Sequence, residues 1–276
     1  MAAGAIERAR KAVEAADAVL ICAGAGMGVD SGLPDFRGDE GFWGAYPPIR
    51  KLGYSFAEMA NPRWFETNPR LAWAFYGHRL QLYREAEPHK GFQGLLELGA
   101  GKKGGYFVFT SNVDGQFQKA GFDAGRIMEC HGSIHHLQCS RNCSSAIWSA
   151  EGTEVEIDPE RFEALGALPR CERCGGVARP NILMFGDGRW QPERSDAQER
   201  RFQRWLQECV EHGYSIVIIE VGAGKAVPTV RYTSEAVARE LKGRLVRINP
   251  RDDEVPSGAI ALPMGGREGI ATISGG

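Results

Sequence analysis

The stretch AVLICAGAGMGVDSGLPDFR, Ala18 to Arg37, narrows the folds open to this chain. Ala18 to Cys22 is an apolar, partly β-branched run of the length expected for a buried parallel strand. Gly24, Gly26 and Gly28 follow at alternate positions, where a residue without Cβ lets the backbone take positive φ and come close to a ligand. A strand feeding a glycine-rich turn is how a parallel sheet receives a nucleotide, and it is also an ordinary strand-to-helix connection. Val29 stands where G-x-G-x-x-G would place its third glycine, so the turn alone leaves both readings open.

Working outward, helix Ala5–Ala16 precedes this strand, and residues 38 to 60 read as an irregular, aromatic-rich loop. A helix is expected from Asn61-Pro62 to about Tyr83, with a break, because Asn caps and Pro suits a first turn. Apolar runs at Tyr106–Thr110, Ile127–Gly132 and Asn181–Phe185 predict further strands, the second ending in His131. The last third alternates helix Arg200–Val210, strand Ser215–Val221, a helix from Pro228 to about Leu241, and strand Arg244–Asn249. That alternation, with glycine and polar residues at the strands' carboxyl ends, predicts a doubly wound α/β sheet.

The 276 residues are enough for a large core, and 43% hydrophobic with 25% charged residues is ordinary for a globular protein. A net charge of −2 argues against a nucleic-acid partner. No apolar stretch has the length of a membrane span, and the charged amphipathic N-terminus does not resemble a secretory signal, so the cytoplasm is the expected compartment. The seven cysteines then read as metal ligands or reduced thiols.

Cys139-x₃-Cys143 and Cys171-x₂-Cys174, 27 residues apart, have the spacing of a structural Zn²⁺ site, and Cys174-Gly175-Gly176 resembles a metal knuckle. His135 and His136 lie nearby, and a polar-face role suits them better than ligation. Ser111-Asn112-Val113-Asp114 follows a strand, where it could bind a ligand or form an Asx turn into a helix. His131 could be a general base or a satisfied structural histidine. No serine sits in a nucleophile elbow, and Cys130 would point away from His131 on a strand.

Taken together and in order, these segments resemble the sirtuins, NAD-dependent protein deacylases, over nearly the whole chain. Gly24-Ala25-Gly26 with Ser31 to Arg37 resembles that family's GAG…SGIPDFR, and Ser111–Gly115 with Ala120-Gly121 its TQNIDG…AG. His131-Gly132 resembles the catalytic HG, Arg179–Asp187 the RPxVVxFGE segment, Gly222-Ala223-Gly224 the GTS and Asn249 the late IN motif. The resemblance implies a Rossmann-like part over about 1–38, 105–135 and 180–276. A smaller domain would comprise a helical module, about 39–104, and the four-cysteine zinc module, about 136–179.

It further implies that Gly24, Ala25 and Gly26 meet the NAD pyrophosphate, with Arg37 near phosphate and Asp35 and Phe36 near the nicotinamide ribose. Ser111, Gly222, Ala223, Gly224 and Asn249 would complete the cofactor site. Asp114 would bond the nicotinamide carboxamide, Asn112 would order a ribose-side water, and His131 would act as general base. An acylated protein lysine would be the partner substrate and O-acyl-ADP-ribose a product. Tyr76 and Arg79 fit the Y-x-x-R pattern of sirtuins that remove acidic acyl groups, and a helix puts i and i+3 on one face. An interfacial tyrosine with a solvated arginine is the competing reading. Gly28, Ser111 and Gly224 stand where the family usually has Ser, Gln and Ser. Protein ADP-ribosylation, NAD hydrolysis and a non-catalytic binding module are therefore the alternatives.

Overall fold

A computed structural model describes residues 2–35 and 38–275. Phe36 and Arg37, expected in the cofactor site, lie outside the described residues. Six parallel strands form the main sheet, in spatial order Ile260–Leu262, Arg244–Ile248, Ile216–Val221, Ala18–Ala23 (β1), Tyr106–Thr110 (β2) and Ile127–Glu129 (β3). Counted along the chain within this sheet, the order is 3-2-1-4-5-6, that of a doubly wound nucleotide-binding sheet. The winding reverses between β1 and Ile216–Val221, and that switch point is where such sheets open a crevice.

The β1 pattern explains its central place. Val19, Ile21 and Ala23 pack on one face against helices Ala2–Ala15, Lys90–Ala100 and Gly266–Ser274. Ala18, Leu20 and Cys22 pack on the other, with Phe202, Trp205 and Cys209 of helix Glu193–Glu211 and Val230 and Val237 of helix Thr229–Glu240. Every β1 residue is buried, as a strand covered on both faces requires.

A separate core joins the helices of residues 38–85 to a three-stranded antiparallel sheet of Ile147–Ser149, Gly132–Cys139 (β4) and Ala178–Ile182. Trp73, fully buried on helix Pro69–Glu85, donates its indole N–H to the Ala178 carbonyl at 2.9 Å and ties the two layers. The stretch 38–60, expected as a loop, is instead helical at Gly38–Ala45, Pro47–Leu52 and Phe56–Met59. Phe42, Tyr46 and Ile49 are buried at helical offsets, and Met59 and Ala60 are buried at its end. Pro47 and Pro48, which resemble breakers, occupy a first helical turn where proline costs nothing. The expected break near Asn61–Tyr83 falls at Asn68, whose side chain caps the second segment by accepting from the Leu71 amide at 3.1 Å.

The strand expected at Asn181–Phe185 runs from Ala178 to Ile182 instead. Pro180 is tolerated because the pairing with β4 is irregular between Ser133 and Leu137. Residues 183–187 are thereby released as a loop. The third strand also stops at Glu129, so His131 sits in the turn before β4 rather than on a strand. No helix of the described residues is long and apolar enough to cross a membrane.

Candidate active site

The carboxyl ends of β1, β2, Ile216–Val221 and Arg244–Ile248 meet at the switch point. Gly24 donates its amide to the Val221 carbonyl and Gly26 to the Gly222 carbonyl, each at 3.0 Å. Asn112 donates its side-chain amide to the Gly24 carbonyl at 3.0 Å. The loops after β1 and Ile216–Val221 touch backbone to backbone: a Cβ on Gly24 would lie 2.7 Å from Ala223 Cα, and one on Gly222 would lie 2.5 Å from Gly26 Cα. This corrects the positive φ expected at the glycines of the first loop. Gly24 and Gly28 have negative φ, and Gly24 and Gly222 are needed where chain packs on chain. Left-handed backbone occurs at Gly32, φ +81°, and at Gly222, φ +64°.

Above this packed layer, Ala25 is exposed, and Gly26, Ser111, Asn112 and Gly224 are half-buried. Ala25, Ser111, Asn112 and Gly224 thus line the crevice, and the hydroxyl and carboxamide among them suit the ribose hydroxyls of a dinucleotide. Asn249 lies one layer deeper. It is fully buried, donates to the Ala223 carbonyl at 2.9 Å and accepts from the Arg251 and Asp252 amides at 3.1 and 3.0 Å. Its place is to hold the Ala223 loop from below. Asp35 is half-buried, and its Oδ1 lies 3.8 Å from where a Cβ on Gly41 would be.

Asp114, 8% exposed, accepts the Gln116 amide at 2.9 Å in an Asx turn, so its polar cluster is at once a turn and a strand end. Burial, aided by the nearby Glu129 carboxylate, pushes its carboxyl up to about 6. His131 is half-buried, and burial holds its imidazole below the usual histidine range, so it is neutral at pH 7 and able to accept a proton. Cys130 beside it is no competing nucleophile, because burial pushes its thiol up to about 12.

The turn carrying His131 is held by residues that no motif marks. Glu129, 1% exposed, is ion-paired to Arg194 and accepts from Gln198 Nε2 at 3.1 Å. Ser195 Oγ donates to the Glu129 carbonyl at 3.0 Å. Arg194, Ser195 and Gln198 lie in the first turns of helix Glu193–Glu211, upstream of the Arg200 start expected for it. On the other side, Leu183 donates its amide to the His131 carbonyl at 3.0 Å, and Phe185 donates its own to Ala60 at 2.9 Å. Leu183 and Phe185, 38% and 41% exposed, form an apolar lip beside His131. The buried Arg179–Asp187 ion pair closes this loop.

Tyr76 and Arg79 lie on one face of helix Pro69–Glu85 and are 1% and 6% exposed, so the arginine is not solvated. Rings of Phe56, Phe75, Tyr76 and Tyr83 surround the Arg79 guanidinium, whose carbon lies 5.3–6.0 Å from their centroids. Tyr83 Oη accepts from Arg79 Nη2 at 2.8 Å and from Nε at 3.2 Å. The Tyr76 hydroxyl is buried without a hydrogen-bond partner. Arg79 and Asp114 are close enough for the guanidinium to oppose the rise of the Asp114 carboxyl. The aromatic chamber and the crevice are therefore neighbours.

The ligand atoms of Cys139, Cys143, Cys171 and Cys174 all lie within 4.8 Å of one another. The Cys139–Cys174 and Cys143–Cys171 sulfurs are 3.6 and 3.5 Å apart. Four sulfurs about 2.3 Å from one tetrahedral ion would be about 3.8 Å apart, so the set fits Zn²⁺. Gly175, φ +66°, donates to the Cys171 carbonyl at 2.8 Å, which builds the second knuckle. Asn142, φ 50°, donates to the Cys139 carbonyl at 3.2 Å in the first. His135 is outside the set, its Nε2 2.8 Å from the Asp114 carbonyl.

The Sir2 family model matches residues 24–209, well over half of the chain, and the chain belongs to that family. It is 29% identical over 241 residues to the NAD-dependent protein deacylase of Aquifex aeolicus, covering 86% of this chain and 85% of that protein. NAD-dependent protein deacylase 2 of Pyrobaculum aerophilum is 32% identical over 231 residues, covering 83% of this chain and 78% of that protein. A solved structure from a study of the mechanism and regulation of Sir2 enzymes superposes with a TM-score of 0.67 at 24% identity, covering 99% of this chain and 97% of that one.

Proposed function

We propose that this chain is an NAD-dependent protein-lysine deacylase that acts in the cytoplasm. The observation that carries this is the switch-point crevice itself. Its glycine loops are packed backbone to backbone, Asn112 is fixed on Gly24, and neutral His131 lies at the adjacent strand's end. When bound, NAD supplies a labile nicotinamide–ribose bond and an acceptor for the acyl group. The paired loops of residues 24–26 and 222–224 would cradle the diphosphate. Asp114 receives the nicotinamide amide, and Asn112, held on Gly24, orders water at the ribose. His131 takes the proton from the hydroxyl group that is to carry the acyl group, acting as general base. Leu183 and Phe185 grip the acyl-lysine stem and exclude water from the crevice. Asp35 would lie near the nicotinamide ribose. The zinc cysteines, as a filled four-thiolate set, act as a staple for the small module and leave no open coordination position.

The same reading gives the chain a Rossmann-like part and a small domain, with the acyl-lysine entering between them. It also favours acidic acyl groups, such as succinyl or malonyl. Arg79, bonded to Tyr83 beside the crevice, carries the positive charge that would meet such a carboxylate, and the Tyr76 hydroxyl can donate to the same group. The test is incubation with NAD and acetyl-, succinyl- or malonyl-lysine peptides, followed by mass spectrometry. Loss of the acyl mass, faster on the acidic peptides, is the expected result. ADP-ribose added to peptide, or NAD consumed without peptide, would replace deacylation by transfer or hydrolysis.

A further inference from the structure

His89 belongs to none of the motifs above, yet it touches the loop after β1 at two points. It is 8% exposed and caps helix Lys90–Ala100, its Nδ1 accepting the Gly91 amide at 3.0 Å. With Nδ1 accepting, the proton of the neutral ring is on Nε2, which lies 3.0 Å from the Met27 carbonyl and donates to it. The His89 backbone amide donates to Ser31 Oγ at 3.0 Å. One residue thus pins both short 3₁₀ turns of the loop, Ala25–Met27 and Val29–Ser31. The fit is close: a Cβ on Gly91 would lie 2.6 Å from the His89 ring, and Phe92 packs on that ring with centroids 5.0 Å apart.

We propose that His89 is a positioning residue for the cofactor, and that its neutral Nε2–H form locks the loop of residues 24–33 in the shape that receives the dinucleotide. The proposal rests on the NAD reading of the crevice. A proton added at Nδ1 would face the Gly91 N–H at a helix N-terminus, so the ring could no longer keep both bonds. The charged groups facing His89 are Asp30 from the loop, which favours the protonated form, and Arg267 from the C-terminal helix, which opposes it. Asp30 is itself held by the Arg267 amide at 2.8 Å. Burial outweighs both and keeps His89 below the usual histidine range. The lock is therefore made at neutral pH and released in acid.

The experiment compares the full chain with H89N and H89Q. Asn can still cap Gly91 but is too short to reach Met27, whereas Gln can reach Met27 and does not titrate. NAD affinity is measured by calorimetry from pH 5 to 7.5, and amide hydrogen exchange at residues 31–33 is followed without cofactor. H89N should weaken NAD binding about tenfold and speed that exchange by about as much, the loss of one hydrogen bond. Its KM for NAD should rise while kcat at saturation stays within about twofold. H89Q should restore neutral-pH affinity and keep, in acid, the exchange protection at residues 31–33 that wild type loses. Wild-type affinity and exchange in H89N, or an undiminished acid loss of that protection in H89Q, would overturn the proposal. If wild type itself bound no NAD, the cofactor reading would fall and this inference with it.

Discussion

The zinc module and the switch-point crevice are both made of turns, but they are assembled in opposite ways. In the zinc module the side chains carry the chemistry, and the backbone of two short knuckles aims four thiols at one point. In the crevice the backbone faces the ligand, and side chains such as Asn112 and Asn249 bind the loops to one another. The first needs residue type at a fixed spacing. The second needs loops from residues 24–28 and 222–224, far apart in the chain, to be packed within a Cβ's breadth. Side-chain identity therefore matters most in the zinc module, and the absence of a side chain matters most in the crevice.

Removing the metal separates the two most sharply. Cys171→Ser should abolish zinc retention, measured by metal analysis, and should melt the three-stranded sheet while the six-stranded sheet keeps its circular-dichroism signal. A variant that kept full zinc would contradict the four-thiolate site. His131→Ala works on the other region. Peptide-dependent NAD cleavage should fall about 10²- to 10⁴-fold, the worth of a general base, with zinc content and melting temperature unchanged. Undiminished turnover would remove His131 from the mechanism. Wild-type activity should also fall in acid, with the fall beginning below the usual histidine range, since His131 must be neutral and burial keeps it so down to lower pH than usual. Next in size is Arg79→Met, which should slow succinyl-peptide turnover about tenfold or more and leave acetyl-peptide turnover nearly unchanged. Equal loss on both would assign Arg79 to packing alone.

Asp114 gives the smallest effect and the most diagnostic sign. Its folded pKa is raised to about 6 from the ordinary 3.8, so the protonated form favours folding and that stability is lost as pH rises from about 4 through 6. At pH 7, Asp114→Asn should therefore raise stability by on the order of 1–3 kcal/mol while NAD cleavage falls. A destabilised variant at that pH would show that the carboxylate is better satisfied than its burial indicates.

The cysteine spacing announced the metal cluster because a thiolate set has few other uses. The doubly wound sheet was legible because buried strands and helices alternate with unlike periods. Positive φ at Gly24 and Gly28 is an expectation the fold does not meet, and no local signal shows that Gly24 packs on Ala223 and Gly222 on Gly26. The helices of residues 38–60 were hidden because Pro47-Pro48 marks a turn and a first helical turn equally well. The Glu129–Arg194 pair and the aromatic wall around Arg79 each join elements distant in sequence, so only tertiary packing reveals them. His89 escaped for the same reason.

The central claim is that this crevice couples NAD cleavage to removal of an acyl group from lysine. The direct measurement mixes the protein with NAD and a succinyl-lysine peptide and quantifies nicotinamide and free lysine peptide together. They should appear in equal amounts, with little nicotinamide formed without peptide. Nicotinamide released at the same rate with or without peptide, with the succinyl group still in place, would contradict it.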